Sequence, residues 1–539
     1  MGSFDCPLPN RPTDVWSGSF ARFMSASGFQ QLQFHPRDCF APQSAVDKAA
    51  DRVRLSLWLV TPLVTGAVIM AQELVAFRLF APYFGYSICV WGSMICVVML
   101  ALAIGYAAGG WGADHSRTDL PLYVLILVSA AYQLGILFVH RPLLRYFRNE
   151  GDFAGTLFAS LIIFAPSMTA MATAGPFVIR LLASSGRVGS AAGIVYAVST
   201  LGGIAGIVGT SFVLIPRHGT QATLEVICVV SALTGVAGLA RHKPCVLLTI
   251  GLMGVMLRYV PDATWSRNTL WVAESPYNLV RVVRNGKWLI LRLNDEGSVH
   301  TIRDEVTGWT GHYYDDFALG PLLLPARNLL VLGMGGGGSI AATRVTAPTI
   351  DIDAVEIDEK VVEAAYRFFG MNRQDPKLHV HVADARPWLE RGTGHYDLVH
   401  VDLYQGGPYI PFYLMTVEFF EAVRAHMSAD GLLMMNLFDL SQKQELLAST
   451  VATLRRVFPA VIILSVGNGN RMLLAFATET SEATVRSRLR AFDGEAAIQQ
   501  LAKRAQTQIS NFKVPPGTPV FTDDLAPVEE ITRRMLNGD

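Results

Sequence analysis

The amino-acid sequence predicts a multi-span α-helical membrane bundle, followed by a small β-hairpin domain and an α/β domain with a Rossmann-like sheet. Two observations carry this prediction. Hydrophobic residues make up 51% of the 539 positions and charged residues only 16%, and the apolar excess is concentrated between residues 55 and 260. Beyond residue 262, short apolar segments alternate with helical segments, and a glycine-rich turn at 333–338 follows one of them. This alternation is typical of a parallel sheet.

The chain begins with a segment, residues 1–54, that is rich in Pro, Ser and Gln and that we expect to be a disordered tail. We predict no secretory signal, because the tail lacks a charged-then-apolar leader with a cleavage site. All six cysteines lie at or before residue 245 and form no CxxC pair, so no disulfide framework and no metal site is predicted. A formal net charge of zero argues against a nucleic-acid partner.

Residues 55–260 are predicted to form a transmembrane domain of six or seven helices. A bilayer core takes about 20 apolar residues per helix. A seventh run, 246–260, is shorter than the others and carries Arg258. Six spans would place both termini in the cytosol, seven would put the N-terminus outside, and the basic residues favour neither arrangement. The six longer runs are 55–79, 88–110, 120–139, 153–182, 191–215 and 222–240.

Two domains are predicted after the bundle. Residues 262–325 form the small domain, where alternating segments flank Asn285-Gly286, a dipeptide typical of a hairpin turn. Residues 326–539 form the Rossmann-like domain, and its last two strands are predicted to form a hairpin. An antiparallel strand at the end of the sheet favours adenosylmethionine-dependent folds over nicotinamide-dependent ones. The predicted strands are 328–332, 351–356, 378–382, 397–401, 432–436, 461–464 and 471–475.

A candidate nucleotide site lies where the first two of these strands end, since doubly wound sheets bind ligands at the carboxyl ends of their strands. The first strand runs into a turn with Gly333, Gly335 and Gly337, which lets a ligand approach the backbone. The second strand ends at Glu356 and Asp358, carboxylates that can hold the hydroxyls of a ribose. The glycine turn alone is weak evidence, because nicotinamide enzymes share it.

Carboxylates also follow the third and fourth strands. Asp384, next to Ala385, is placed to accept a hydrogen bond from an adenine amino group, or else to cap the helix that follows. Asp402 precedes a glycine-rich loop and can take a proton from an acceptor amine. An ammonium ion has no lone pair with which to attack a carbon bonded to a sulfonium, so a carboxylate that deprotonates it is useful as a general base.

These motifs resemble the spermidine synthase (polyamine aminopropyltransferase) family from about residue 272 to 476, in the type that bacteria fuse to a membrane segment. The resemblance implies a cytoplasmic catalytic domain on the inner membrane, with Glu356 holding the ribose, Asp384 the adenine, and Asp402 acting as the base. It also implies a pocket for the acceptor. The residues implied for that pocket are Tyr277, Tyr313, Tyr314, Asp315, Tyr404 and Gln405.

The sequence departs from the family pattern mainly on the acceptor side. Gly336 stands where the glycine turn usually carries an Asp, and Gln405 replaces the second acid of the loop after the fourth strand. A dication such as putrescine needs carboxylates at both ends of its pocket. The co-substrate is therefore expected to be adenosylmethionine or decarboxylated adenosylmethionine, with transfer of a methyl, aminocarboxypropyl or aminopropyl group.

The function expected from the sequence is a membrane-bound transferase that alkylates an amine. The expected partners are a polyamine-like or lipid acceptor and membrane lipids, with a homodimer as one possible assembly. An alternative is a transporter or exporter whose C-terminal domain senses a nucleoside or polyamine without turnover. A nicotinamide oxidoreductase is disfavoured by Asp384, Asp402 and the terminal hairpin. Glu73, within the first span, is either a functional ionisable site or a packing residue.

Overall fold

The computed structural model describes residues 45–84, 88–183, 187–240, 246–260, 267–294 and 297–537. Most of the predicted tail, residues 1–44, lies outside the described residues. The first helix begins at Ala45, so the boundary predicted at residue 54 falls within a helix. Residues 45–54 contain neither glycine nor proline and are mostly good helix formers, and they extend the apolar helix in the N-terminal direction.

Four helical runs in the described ranges are long and apolar enough to cross a membrane, and a bent pair would make five. The runs are Val53–Phe84, Val90–His115, Leu120–Glu150 and Val188–Leu239; the bent pair is Phe153–Ile163 with Ala165–Leu182. The helices are Ala45–Phe84, Ile88–His115, Leu120–Phe147, Asp152–Ile163, Ala165–Ala172, Ala174–Leu182, Val188–Gly209, Ile215–Leu239 and Leu247–Leu257.

Three of the predicted spans differ from the helices in the structure. The predicted span 153–182 is bent by 50° after Ile163, where Pro166 opens the next helix. The fifth and sixth predicted spans belong to one run of 52 residues, which Gly219 interrupts with φ 81° and ψ 173°. A straight helix of that length would measure about 78 Å, more than twice a bilayer core. The break therefore divides the run into two parts of membrane-spanning length.

Contacts between helices define the two ends of the bundle. At one end, Nε1 of Trp58 donates a hydrogen bond to Asp119, just before the third helix, at 2.9 Å. Arg78 lies about 30 Å further along the first helix, and its guanidinium donates to the carbonyl of Pro276. The start of the first helix and the C-terminal domains therefore lie at opposite ends of the bundle.

The small domain is a four-stranded antiparallel sheet with the order β1-β2-β3-β4. The predicted hairpin is β2 and β3, and its turn has Asn285 paired with Trp288 and Gly286 at φ 59°. The sequence did not predict β1, an edge strand that pairs only with β2. The strands are β1 (Thr269–Glu274), β2 (Leu279–Asn285), β3 (Trp288–Leu293) and β4 (Thr301–Asp304).

The large domain is built on an eight-stranded sheet with the order β12-β10-β11-β9-β8-β5-β6-β7. Strands β5 to β9 are parallel, and β11 is antiparallel to both β9 and β10, so the predicted terminal hairpin is present. The strands are β5 (Asn328–Leu332), β6 (Asp351–Glu356), β7 (Leu378–Val382), β8 (Tyr396–Val401), β9 (Met427–Phe438), β10 (Ala460–Gly467), β11 (Asn470–Phe476) and β12 (Ile509–Ser510).

Helices cover both faces of this sheet. Leu329 and Leu330 are adjacent in β5, point to opposite faces and are both fully buried, in two separate hydrophobic clusters. Burial on both faces explains why the parallel strands are continuous apolar runs. The helices of this domain are Gly320–Leu323, Gly338–Thr346, Glu359–Phe368, Ala385–Arg391, Val417–Ala425, Glu445–Leu454, Glu482–Arg490, Ala496–Gln508 and Val528–Asn537.

The small domain is attached to the bundle through the end of β1. Oε2 of Glu274 accepts hydrogen bonds from the backbone N–H and the hydroxyl of Thr220, at 2.7 and 2.6 Å. Thr220 follows the break at Gly219 and opens the last part of the long helical run. The carboxylate therefore caps the N-terminus of a helix, where backbone donors are otherwise unpaired and the helix dipole favours negative charge.

We expect Glu274→Ala to destabilise the whole chain, because it removes both hydrogen bonds to Thr220. The loss should be about 1–2 kcal/mol, as for other helix caps, and should appear as a lower midpoint of thermal unfolding in detergent. Glu305→Ala is the control, because the Glu305 carboxylate forms only an exposed ion pair with Arg284, at 3.1 Å. Equal midpoints for the two variants would contradict the capping role.

Candidate functional site

A cavity of about 840 Å³ lies at the carboxyl edge of the parallel strands, between the large sheet and the small domain. The glycine turn after β5, the end of β6 and the loops after β7 and β8 all contribute to its wall. Most of the side chains that the sequence predicted for the site are therefore brought together. Those that line the cavity are Tyr277, Tyr313, Tyr314, Gly333, Gly335, Glu356, Asp384, Ala385, Asp402, Tyr404 and Gln405.

Glu356 ends β6 and is held against the glycine turn. Its Oε2 accepts a hydrogen bond from the backbone N–H of Gly335 at 3.0 Å, and its Oε1 accepts one from Asp358 at 3.2 Å. Burial raises the pKa of Glu356 to about 7, against the lowering effect of these two backbone donors. The carboxylate is thus positioned at the cavity wall with acceptor capacity left for the hydroxyls of a ligand.

The glycine turn leaves no room for side chains at two positions. Gly333 has φ 85°, and a Cβ there would lie 2.3 Å from the carbonyl oxygen of Asp402. At Gly336 a Cβ would lie 2.8 Å from Thr301 Cγ2 and 3.0 Å from the ring of Phe369. The backbone N–H of Gly336 instead donates to the Thr301 hydroxyl at 2.8 Å. The small domain therefore occupies the space that an acid at position 336 would need.

Asp384 caps a helix, as one of its two predicted roles requires, and it also lines the cavity. Its Oδ1 accepts a hydrogen bond from the backbone N–H of Arg386 at 3.0 Å and caps the helix that begins at Ala385. Its Oδ2 accepts one from the Tyr413 hydroxyl at 2.9 Å. Asp384, Ala385 and Tyr413 all line the cavity, so the capping carboxylate also faces the space next to Glu356.

Asp402 follows β8 and is a half-buried carboxylate in the cavity wall. The Tyr313 hydroxyl donates to its Oδ2 at 2.8 Å, and Nδ2 of Asn436 donates to its Oδ1 at 3.0 Å. Burial raises the pKa of Asp402 to about 6, and these two donors limit the rise. Burial and the charge of Asp402 raise the pKa of Tyr313 well above its ordinary value, so the tyrosine remains a donor.

The remaining tyrosines of the predicted acceptor pocket are held by the backbone or by each other. The Tyr404 hydroxyl accepts a hydrogen bond from the N–H of Phe438 at 2.9 Å and donates to the carbonyl of Asn436 at 3.4 Å. The rings of Tyr313 and Tyr314 lie 4.0 Å apart, tilted by 35°. Tyr404 thus fixes the end of β9 relative to the loop that carries Asp402.

Three predicted site residues are outside the cavity wall and have structural roles. Asp358 is fully buried, accepts hydrogen bonds from Ser275 and Asn278 at 2.6 and 2.8 Å, and caps the helix that follows β6. The carboxylate of Asp315 accepts hydrogen bonds from the backbone N–H groups of Thr310 and Gly311. A Cβ at Gly337 would lie 2.5 Å from the Met371 sulfur, so that glycine serves packing.

Asn436, Thr301 and Tyr413 were not predicted to belong to the site. Asn436 is the polar residue in the otherwise apolar run 432–438, at the end of β9. That interruption is the one feature of the sequence that could have identified Asn436 as a site residue. Thr301 and Tyr413 contact the site only because the small domain and the loop before Val417–Ala425 fold over the sheet edge. In the described residues, no group of three His, Cys, Asp or Glu side chains could hold a metal ion.

We expect Asp402→Asn to be stabilising relative to the parent at neutral pH, and the difference to shrink as the pH falls. The raised pKa means that Asp402 contributes its full stability below about pH 4 and loses it as the pH rises through about 6. Across this pH range, the contribution of Asp402 to the free energy of unfolding changes by an amount on the order of 3 kcal/mol. Thermal unfolding of both proteins between pH 4 and 7.5 measures it.

Asp397, at the other end of β8, provides a control of opposite sign. Hydrogen bonds from Arg327, Asn328 and Ser428 outweigh burial and lower its pKa. Its stabilising contribution is present above the unfolded-state pKa and is lost as the pH falls. Asp397→Asn should therefore be most damaging at neutral pH. The same pH trend in both variants would contradict the assignment.

Comparison with known proteins agrees with this geometry. Residues 317–468 match the family model described as Spermine/spermidine synthase domain. A "Probable polyamine aminopropyl transferase" of Bifidobacterium longum is 30% identical over 246 residues, which is 45% of this chain and 52% of that protein. An "eEF1A lysine and N-terminal methyltransferase" of Mus musculus is 30% identical over 162 residues, which is 28% of this chain and 23% of that protein.

Among solved structures, a probable spermidine synthase from Corynebacterium glutamicum covers 46% of this chain and 99% of its own, with 19% identity and a TM-score of 0.36. The chain spans just over half the length of two aminopropyltransferase relatives that it matches in sequence: 52% of the Bifidobacterium protein and 59% of one from Vibrio vulnificus. The C-terminal part of this chain contains a spermine/spermidine synthase domain.

Proposed function

We propose that this chain is a membrane-anchored transferase that moves an alkyl group from a sulfonium nucleoside to an amine. One observation carries the proposal: a single cavity contains the half-buried carboxylate of Asp402 together with the carboxylates of Glu356 and Asp384, which lie at the ends of β6 and β7. Glu356 and Asp384 suit the ribose and the adenine of a nucleoside, and Asp402 suits a base. The similarity to an aminopropyl transferase and to a methyltransferase supports the same class of chemistry.

In the proposed reaction, the amine lone pair attacks the carbon that is bonded to the sulfonium. The carbon–sulfur bond breaks and its electron pair stays on sulfur, which leaves as a neutral thioether. The proton that the nitrogen must lose goes to Asp402. With a pKa of about 6, this carboxylate is ionised at neutral pH and is still more basic than an ordinary aspartate. Tyr313 and Asn436 hold it in one orientation.

The donor is adenosylmethionine or its decarboxylated form, bound over the glycine turn. The absence of a side chain at Gly333 and Gly335 lets the nucleoside approach the backbone. Glu356 is already oriented by the N–H of Gly335, so it offers the ribose a prearranged pair of acceptor oxygens. Holding donor and acceptor in line lowers most of the remaining barrier.

We place the helical part of the chain in a membrane, with the catalytic domain at its cytoplasmic surface. The support is the four described helical runs, or five with the bent pair, that are long and apolar enough to cross a bilayer. Large apolar side chains such as Met99, Ile104 and Phe212 are exposed on these helices. Side chains of this kind on the outside of a helical bundle are expected where lipid is the solvent.

We expect Asp402→Asn to retain nucleoside binding and to lose turnover. The loss should be about 10²–10⁴-fold, the usual contribution of a general base. Asp384→Asn is the matched variant: asparagine still caps the helix, but its amide replaces the charged acceptor for adenine. It should weaken binding of methylthioadenosine about tenfold, equivalent to roughly 1.4 kcal/mol. Calorimetry measures binding, and mass spectrometry measures the alkylated amine.

Two results would contradict this function. If the purified protein binds neither adenosylmethionine, its decarboxylated form nor methylthioadenosine, the proposed donor is wrong. If turnover is unchanged in Asp402→Asn, the proposed base is wrong. Polyamine flux into proteoliposomes that is insensitive to Asp402→Asn, in a protein without turnover, would select the transporter interpretation instead.

Single cysteines at the two ends of the bundle should react with a membrane-impermeant maleimide from opposite sides. In a cysteine-free background, Arg117→Cys marks the end that holds Asp119, and Val306→Cys marks an exposed turn of the small domain. On intact cells we expect labelling at residue 117 alone, and at residue 306 only after permeabilisation. Equal labelling of both positions on intact cells would contradict the membrane arrangement.

A further inference from the structure

We infer that the acceptor is a primary amine that carries a single positive charge on an apolar chain, and not a diamine or polyamine. The inference rests on the proposed function and goes further by naming the class of acceptor. Three features of the cavity support it: the few charged side chains in its wall, the groups around Asp402, and the residues that line the part beyond Asp402.

The cavity holds little charge for its size. Among the residues that the structure describes, three carboxylates line it, those of Glu356, Asp384 and Asp402, and no lysine or arginine does. Glu356 and Asp384 lie over β6 and β7, on the nucleoside side. Only Asp402 lies over β8, on the side left for the acceptor. The described residues can therefore pair one ammonium group with a carboxylate on this side, and they offer no carboxylate for a second.

Asp439 directly precedes the cavity residue Leu440, and its carboxylate is already hydrogen-bonded to other protein groups. Asp439 follows β9 and is buried. Its Oδ1 accepts hydrogen bonds from the backbone and the hydroxyl of Ser441 at 2.8 and 2.6 Å, and its Oδ2 accepts one from the N–H of Leu447 at 3.0 Å. Asp439 stabilises the loop that leads into the helix Glu445–Leu454 and is outside the cavity wall. It does not supply a second charge.

The groups around Asp402 are suited to one amine. Nδ2 of Asn436 donates to Asp402, which fixes the orientation of the amide. Oδ1 of Asn436 is buried and has no hydrogen-bond partner among the described residues. An amine in the cavity can therefore reach the carboxylate of Asp402 but not this buried amide oxygen. Asn436 is thus a positioning residue for Asp402, the carboxylate that a single nitrogen would contact.

Beyond Asp402 the wall is mostly apolar, and Asn470, the residue paired with Phe438, adds a neutral amide to it. Phe438, Leu440 and Leu536 line this part, and the Leu440 and Leu536 side chains are 59% and 47% exposed at the mouth. The second ammonium of a diamine would lose water here without gaining a carboxylate, which is unfavourable. A hydrocarbon chain would instead be removed from water, which is favourable by roughly a factor of four in affinity per methylene.

One part of the cavity wall also lies at the end of the bundle, from which an amphiphile would come. Tyr277 lines the cavity, and its neighbour Pro276 accepts a hydrogen bond from Arg78 of the first apolar helix. An amine with an apolar chain is concentrated at a membrane surface. The same chemistry, an amine on an apolar body, is found in free long-chain amines and in aminophospholipids, and the test below separates these sources.

The test compares acceptors of equal length on the purified full chain. With each donor, 1-aminohexane and 1-aminooctane are measured against 1,6-diaminohexane and 1,8-diaminooctane, and vesicles of phosphatidylethanolamine form a separate arm. Release of the thioether nucleoside and mass spectrometry of the product give kcat/KM. We expect each monoamine to exceed its diamine at least tenfold, and kcat/KM to rise about fourfold per added methylene. Preferential alkylation of the vesicles would identify the lipid as the source of the amine.

Two variants sharpen the comparison. Leu440→Glu places a carboxylate at the apolar mouth and should reduce the preference for monoamines about tenfold. Leu525→Glu is the matched control, because Leu525 is 64% exposed and outside the cavity wall, and should leave the preference unchanged. Asp295 and Glu296 lie outside the described residues, and the double variant Asp295→Asn with Glu296→Gln should also leave it unchanged.

The outcomes distinguish this inference from the function on which it rests. Preference for diamines, with turnover that still depends on Asp402, would overturn the inference and leave the transferase function in place. Loss of such a preference in the double variant at residues 295 and 296 would identify the missing carboxylate. If neither donor alkylates any amine, the transferase function fails and the inference fails with it.

Discussion

The burial of carboxylates at the carboxyl edge of the parallel sheet is the constraint on which the rest of the site depends. Glu356 and Asp402 both have pKa values raised by burial, to about 7 and about 6, and the fold offsets part of that cost with specific donors. The glycine turn supplies a backbone N–H to Glu356, and Tyr313 with Asn436 supplies two donors to Asp402. These donors lie in the glycine turn after β5, in the segment that contains Tyr313, ahead of β5, and in β9. The site is therefore complete only when three parts of the chain have docked.

The segment from Glu274, at the end of β1, to Asn278, just before β2, connects the apolar bundle to the cavity. Within it, Glu274 caps the helix that begins at Thr220, and the carbonyl of Pro276 accepts from Arg78. The next residues, Tyr277 and Asn278, line the cavity, and Asn278 also donates to Asp358, two residues after Glu356. Fewer than ten residues therefore separate the contacts with the bundle from the cavity wall.

The side of the cavity that lies over β8 and β9 combines one carboxylate, that of Asp402, with a mostly apolar mouth. In the described part of the chain, the other acids near the cavity either lie over β6 and β7, as Glu356 and Asp384 do, or are bonded to backbone donors, as Asp439 is. Gln405 contributes a neutral amide to the wall where the resemblance implies a second acid. The Thr301 methyl and the Phe369 ring leave no space for an acid at Gly336. The departure from the family pattern at Gly336 is thus accommodated by the packing of the small domain against the glycine turn.

The sequence by itself determined the order of the strands and helices of the α/β domain, the hairpin at Asn285–Gly286, and the strand ends at which Glu356, Asp384 and Asp402 lie. It could do so because side-chain periodicity and glycine content act locally, and because carboxyl ends of parallel strands meet at one edge. Only the tertiary structure decided that Asp358 and Asp315 are structural, that Asn436 orients Asp402, that Gly219 divides a helical run, and that the two ends of the bundle are opposite. The roles of Asp358 and Asn436, for example, depend on contacts across tens of residues, Asn278 with Asp358 and Asn436 with Asp402. Local propensity carries no information about which distant groups will meet, because that is settled by how the layers pack.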